Sequence, residues 1–182
     1  MPQPTATPNG QPRIDLAGRR ILVVEDDRMN ARIIASILRP EGYVISEVDS
    51  GEAALLAYPE FRPDLVLLDV VMGGINGFET CRQLKADPTA ANVPVIFITA
   101  KNQPDDIVAG LEAGGIDYVV KPFQPREMIA RIRTHLHLRA LLESQKKLID
   151  DLSKANAAKN HFLGIAAHDL RNPLTSIRGL SE

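Results

Sequence analysis

The sequence has a single cysteine, Cys81, among 182 residues, which excludes an intramolecular disulfide framework and a cysteine-based zinc site. A reducing compartment is therefore the expected setting, and the expected location is cytoplasmic. No charge of one sign dominates, since 21 Lys and Arg stand against 23 Asp and Glu for a formal net charge of −2. Without a basic excess no nucleic acid is expected as a partner, and any anion site must be local. There is also no apolar run approaching the ~18 residues that span a bilayer, and no apolar signal-peptide core at the N-terminus, so no membrane segment is expected. With 45% hydrophobic residues, a chain this long can bury one good core and carry a short second element. A large multidomain enzyme is excluded.

Residues Met1–Ala17 hold Pro2, Pro4, Pro8 and Pro12 with Thr, Asn, Gln and Gly. Such a composition buries too little apolar surface to offset ordering entropy, so residues 1–19 read as a flexible tail. From Arg20 to Phe123, short Val- and Ile-rich runs alternate with segments of helical period. The runs are Ile21–Val24, Tyr43–Val48, Leu65–Leu68, Val93–Ile98 and Ile116–Val120, and between them lie Met29–Leu38, Gly51–Tyr58, Gly77–Lys85 and Asp105–Ala113. Repeated β–α units with connections of this length predict an α/β fold, a doubly wound five-stranded parallel sheet covered on both faces. Functional groups of such sheets gather beyond the carboxyl ends of the strands.

No Gly or Pro occurs from Arg126 to Leu163, and the composition turns to Leu, Ala, Lys, Arg, Glu and Gln. A long helix over Arg126–Asn172 is predicted. Leu138, Leu141, Leu148, Leu152 and Ala155 keep a 3–4 spacing with Gln145 as the polar member, the pattern of a coiled-coil seam. A homodimer through this C-terminal helix is the simplest way to bury it.

Four predicted strands end in polar groups: Glu25 and Asp26 after the first, Asp69 after the third, Thr99 after the fourth and Lys121 after the fifth. In a doubly wound sheet these converge on one edge. Three carboxylates that close together repel unless a cation sits among them, and Mg2+ is the expected cofactor. Asp26 and Asp69 would supply carboxylate oxygens, the Val71 carbonyl a third ligand, and Glu25 would hold a coordinated water. The chemistry indicated is phosphoryl transfer to a carboxylate, with Asp69 as nucleophile and Thr99 and Lys121 binding the incoming phosphoryl oxygens. An aspartate-nucleophile phosphatase generally needs a second Asp two residues on, and that position is Val71.

The stretches ILVVEDD (Ile21–Asp27), LVLLDVVM (Leu65–Met72), FITA (Phe97–Ala100) and YVVKPF (Tyr118–Phe123) resemble those of response-regulator receiver domains. The resemblance covers residues 20–138 and implies a flavodoxin-like sheet of strand order 2-1-3-4-5. It implies Asp69 as phosphoacceptor, Glu25 and Asp26 as the acidic pair, Thr99 as the switch hydroxyl, Tyr118 as the switch aromatic and Lys121 as the site lysine. A phosphodonor kinase or phosphotransfer protein is the implied partner. Receivers usually carry Pro after the residue matching Met72, whereas Gly73-Gly74 stands here, so a less constrained loop is expected.

Further along, Leu163, Ala167, Leu170, Leu174 and Ile177 form one helical apolar stripe that leaves His168 off the seam. An imidazole there can act as a nucleophile, with Asp169 accepting its proton and Asn172, one turn on, positioning a water or a nucleotide group. His135, His137 and His161 read as ordinary solvated histidines. Residues 156–182, with a Phe-Leu pair and then His-Asp-Leu-Arg-Asn-Pro-Leu, resemble the H-box of histidine-kinase dimerisation domains. This resemblance implies His168 as phosphohistidine site, Asp169 as autokinase base, Asn172 as the residue used for phosphatase activity, and Pro173 as a bend. It also implies an ATP-binding kinase domain as a partner missing from this sequence, and hence the N-terminal part of a longer receiver-linked histidine kinase. The expected organisation is a tail (1–19), a receiver (20–138), a coiled-coil helix (139–158) and the first, truncated helix of a dimerisation domain (159–182). A two-component phosphorelay is the expected function, and a non-enzymatic receiver-driven dimerisation switch is the alternative.

Overall fold

In a computed structural model the backbone is described for residues 15–100 and 104–178, and side chains for 15–100 and 106–163. Five strands, β1 (Arg20–Val24), β2 (Val44–Val48), β3 (Leu65–Asp69), β4 (Val95–Thr99) and β5 (Asp117–Val120), form one parallel sheet in the order β2-β1-β3-β4-β5. The helices are α1 (Arg28–Leu38), α2 (Gly51–Phe61), α3 (Gly77–Ala86), α4 (Pro104–Glu112) and α5 (Pro125–Arg178). This is the doubly wound fold expected from the alternation of runs.

The central strands read as continuous apolar runs because each of their faces is covered. On one face Ile21, Val23, Leu65, Leu67, Ile96 and Ile98 pack with Ile34 and Leu38 of α1 and with Met128, Ile132 and Leu136 of α5. On the other, Leu22, Val24, Val66, Leu68, Val95 and Phe97 pack with Ala54 and Tyr58 of α2 and Cys81 and Leu84 of α3. The two sets alternate along every strand, the period of two that a pleated backbone imposes.

Helix starts are fixed by side-chain caps, which satisfy backbone N–H groups that the first turn leaves without partners. The Asp27 carboxylate accepts from the Met29 and Asn30 amides, Ser50 Oγ from the Ala53 amide and Asn76 Oδ1 from the Glu79 amide. A 3-10 turn at Arg39–Glu41, ended by Gly42 at φ 87°, was not foreseen between α1 and β2. Nor was the burial of Leu16, which joins the core face of α1 and α5, while the Gly18 amide donates to the Gly42 carbonyl. The packed chain thus begins before Arg20, where the sequence pattern placed the boundary. Residues 1–14 of the expected tail lie outside the described residues.

The chain divides into two compact units, residues 1–140 and 141–182. The first holds the sheet and the opening turns of α5. The second is the rest of α5, whose described side chains, 141–163, are all exposed. Among the described residues no helix is long and apolar enough to cross a membrane.

Candidate functional site

Parallel strands all deliver their carboxyl ends to one edge of the sheet. β1 leads directly into Glu25 and Asp26, β3 ends on Asp69, β4 ends on Thr99, and β5 leads into Lys121. Backbone pairing holds the set in place: the Glu25 amide donates to Val48, the Val70 amide to Ile98, and the Lys121 amide to Thr99. Glu25, Asp69 and Thr99 are buried, at 2%, 4% and 5% exposure, while Asp26 is exposed.

One carboxylate oxygen from each of Glu25, Asp26 and Asp69 lies within 4.8 Å of the other two. Lys121 Nζ donates to Asp69 Oδ2 at 2.7 Å and to Glu25 Oε1 at 3.0 Å. Glu25 Oε2 lies 2.8 Å from the same ammonium, yet it is buried without an aligned hydrogen bond. Burial pushes the Glu25 carboxyl above its ordinary range, and the Asp69 charge adds to this against the opposing Lys121 and Asn30 hydrogen bonds. For Lys121 burial alone would favour the neutral amine, but the hydrogen bonds it donates to Asp69 and Glu25 outweigh it and hold the ammonium above its ordinary value.

Among the described residues a single ammonium faces three carboxylates, which leaves their negative charge in excess. Three converging carboxylates, two of them buried, form an all-oxygen donor set that suits a hard divalent ion of the Mg2+ type. The residues present therefore fit the expected cofactor.

The loop after Asp69 is more tightly held than its glycine pair suggested. The Val71 amide donates to Asp69 Oδ1 at 3.2 Å, the Gly73 amide to Asp26 Oδ2 at 3.2 Å and the Ile75 amide to Glu52 Oε1 at 3.1 Å. Gly74 takes φ +76°, which disfavours any side chain. At the loop's end Gly77 lies against β3, where a Cβ would come 2.2 Å from the Asp69 carbonyl oxygen. Gly74 and Gly77 thus serve a tight turn and a close approach, while a Cβ at Gly73 would meet nothing within 4 Å, and the three hydrogen bonds tie down the loop.

Thr99 and Tyr118 both border a cavity of about 20 Å3 that Phe97, Ile107 and Gly110 also line. The Arg131 guanidinium sits 5.8 Å from the centre of the Tyr118 ring. His135, read from sequence as a solvated residue, is instead largely buried, with Nε2 3.0 Å from Asp117 Oδ2. Asn30 was also missed: its amide donates to Glu25 Oε1 at 3.2 Å from one turn into α1. No local sequence signal marks Asn30, since only the turn at Asp27 brings it back to the strand end. The predicted site residues His168, Asp169 and Asn172 lie outside the described side chains.

A five-stranded parallel sheet with an acidic cluster and a lysine at its carboxyl edge defines a flavodoxin-like α/β signalling domain. Residues 21–133 match the family model of the response regulator receiver domain, and the chain belongs to that family. It is thus a receiver of two-component signalling, a family that binds Mg2+ at an acidic pocket, here the Glu25, Asp26 and Asp69 cluster. It is similar to the DNA-binding response regulator MtrA of Mycolicibacterium smegmatis, with 46% identity over 123 residues, 68% of this chain and 53% of that protein. The chain spans about half the length of the curated relatives of this kind that it matches. Among solved structures it resembles a putative response regulator from Chloroflexus aurantiacus at 33% identity and TM-score 0.64, covering 66% of this chain and 98% of that one. It also resembles the receiver domain of sensor histidine kinase PA1611 from Pseudomonas aeruginosa, solved with magnesium in the active site cleft. That match has 31% identity and TM-score 0.63, over 66% of this chain and 99% of that one.

Proposed function

We propose that this chain serves a two-component phosphorelay in which Asp69 accepts a phosphoryl group in a Mg2+-dependent step and thereby regulates a dimeric histidine-kinase unit whose phosphoacceptor is His168. The observation that carries the first half is the burial of Asp69 in contact with Lys121 and within 4.8 Å of two further carboxylates. An Asp69 carboxylate oxygen attacks the phosphorus of the donor, and the bond to the donor's leaving group breaks with its electron pair going to that group. The Lys121 ammonium and the Thr99 hydroxyl hydrogen-bond the transferred oxygens. Asp26, Asp69 and the Val71 carbonyl would hold Mg2+, with Glu25 on a coordinated water, and the ion would offset phosphoryl charge. Thr99 and Tyr118, which share a cavity border, form the switch that reads the modification.

In this reading residues 20–138 are the receiver, 139–158 a coiled-coil helix that pairs with a second copy, and 159–182 the first helix of the dimerisation domain. His168 carries phosphate, Asp169 serves as its base and Asn172 positions the water that removes phosphate from a partner. An ATP-binding domain acts on His168, and a kinase or phosphotransfer protein loads Asp69. The H-box-like stretch and a near-neutral charge of −2 favour this output over the DNA binding named for the MtrA relatives. A receiver this similar to that of sensor histidine kinase PA1611 supports it. The exposed apolar residues of α5 between Leu141 and Leu163 favour a second reading, a non-enzymatic receiver-driven dimerisation switch. Labelling from ATP, with the kinase's ATP-binding domain supplied in trans, separates the two. The relay reading requires phosphate on His168 and none in His168→Gln, and absence of label on wild type leaves only the dimerisation switch.

A further inference from the structure

Residues 141–163 are exposed throughout, yet Leu141, Leu142, Leu148, Ile149, Leu152, Phe162 and Leu163 are large, apolar and each more than half accessible. They fall on two overlapping seams that share every second position and differ by one residue at the positions between. One frame runs Leu141, Gln145, Leu148, Leu152, Ala155 and on to Phe162, with the 4–3 alternation of a coiled-coil seam. The other runs Leu142, Gln145, Ile149, Leu152, Asn156 and on to Leu163, with the alternation reversed. Gln145, Leu152 and Lys159 belong to both.

We propose that this segment pairs in parallel with a second copy of the chain through either of two interchangeable seams, so that the dimer is bistable in helix rotation. The inference rests on the homodimer of the proposed function and deepens it by specifying two states for that interface.

A second copy is the occupant because of Gln145. It sits in both seams, and only a parallel pairing in register sets its amide against the same amide, where the two hydrogen-bond. An offset or antiparallel pairing places it among leucines. Around the helix from the stripe, Glu143, Lys147, Asp150, Asp151 and Lys154 mix both signs, the composition of a solvated face. Each seam places four of these large apolar side chains per helix directly in the interface, Leu152 in both, while the other seam's members lie along its flanks.

The two seams match closely in content. Leu141 and Leu148 exchange with Leu142 and Ile149, and Ala155 and Phe162 exchange with Asn156 and Leu163. In a supercoil of 3.5 residues per turn, adjacent frames differ by half the angle between neighbouring residues, so a rotation of roughly 50° per helix converts one into the other. Whichever seam is closed, the other's leucines flank it and stay partly covered, which keeps the two states near in free energy.

The test is sedimentation and thiol crosslinking of the full chain. The variants are Leu141→Gln with Leu148→Gln, Leu142→Gln with Ile149→Gln, and all four together. Each pair should leave a dimer weakened no more than about tenfold, since one intact seam remains, whereas the fourfold variant should weaken it by about a hundredfold or more. Ala155→Cys and Asn156→Cys report the two seams separately, and Cys81, buried with its thiol pushed up to about 11, does not compete. Both reporters should crosslink in the otherwise native chain, and each seam-breaking pair should suppress its own reporter severalfold while raising the other. A pair as disruptive as the fourfold variant, or one 155-to-156 ratio in every background, overturns the two-seam inference while the dimer stands. A monomeric native chain removes the dimer and the inference together.

Discussion

Replacing Lys121 by Met removes the ammonium that bridges Asp69 and Glu25, and the size of the effect follows from the site. All three side chains are well covered, at 20%, 6% and 1% exposure, so solvent screens the interaction weakly. At an effective dielectric of about 20, the bare carboxylates of Glu25 and Asp69, up to 4.8 Å apart, repel by about 3.5 kcal/mol. Losing one partner from a buried ionic cluster costs about 3–5 kcal/mol in general, so a loss of roughly 3 kcal/mol is expected in metal-free buffer near neutral pH. The loss should depend on pH. Glu25 already has a raised folded-state pKa, so its charged form is disfavoured in the fold: stability from this group is fully present below 4.5 and lost as pH rises through the raised value. Removing Lys121 moves that value further up, and the penalty of the variant should therefore shrink as pH falls through it and Glu25 takes a proton. Urea unfolding of both proteins at two pH values, with chelator, measures it. A difference under about 1 kcal/mol at neutral pH, or one of equal size at both pH values, would refute the electrostatic account of the cluster.

Other outcomes follow from single contacts. Gly77→Ala sets a Cβ 2.2 Å from the Asp69 carbonyl and should destabilise the receiver by about 2 kcal/mol or more while slowing Asp69 phosphorylation; normal denaturant midpoint and labelling rate would contradict the close approach. Phosphorylated Asp69 should decay over minutes or longer, because Val71 offers no polar side chain to orient water, and a lifetime of seconds in a phosphate-release assay would sink that idea. Asp117 is lowered on balance: burial raises it, but hydrogen bonds from His135, the Tyr118 amide and Arg131 prevail, so its stabilisation is present above 3.8 and lost as pH falls through its folded value. Asp117→Asn should accordingly flatten the acid side of the stability profile, and an unchanged acid limb would show the network to be unimportant. Ile132→Ala, in the α5 side of the core, should cost about 2–5 kcal/mol in chemical denaturation.

The fold was legible because its signals are local and repeated. Strand runs such as Leu65–Leu68 and Val95–Thr99 are buried on both faces, so they are continuous in sequence as well as in space. The edge residues were legible because a parallel sheet turns sequence position at strand ends into proximity. What escaped depends on long-range geometry. Asn30 reaches Glu25 only because Asp27 caps α1 and folds it back over β1. Leu16 hides beside a proline-rich stretch whose composition masked one buried side chain. His135 faces Asp117 through the packing of α5 on β5, which a solvated-histidine reading could not anticipate. The Gly73-Gly74 loop misled because a glycine pair signals freedom in a free chain, yet here it permits a φ of +76° in a turn tied to Asp26 and Glu52.

The central claim is that Asp69 is the residue phosphorylated at this edge, with Mg2+ held by the neighbouring carboxylates. Intact-mass and peptide-level measurement after incubation with a small acyl-phosphate donor tests it most directly. One phosphoryl group should appear on Asp69 of the wild-type chain with Mg2+, and none with chelator or in Asp69→Asn. Phosphate on the Asp69→Asn chain at equal yield, or none on wild type with Mg2+ and donor, would contradict the account.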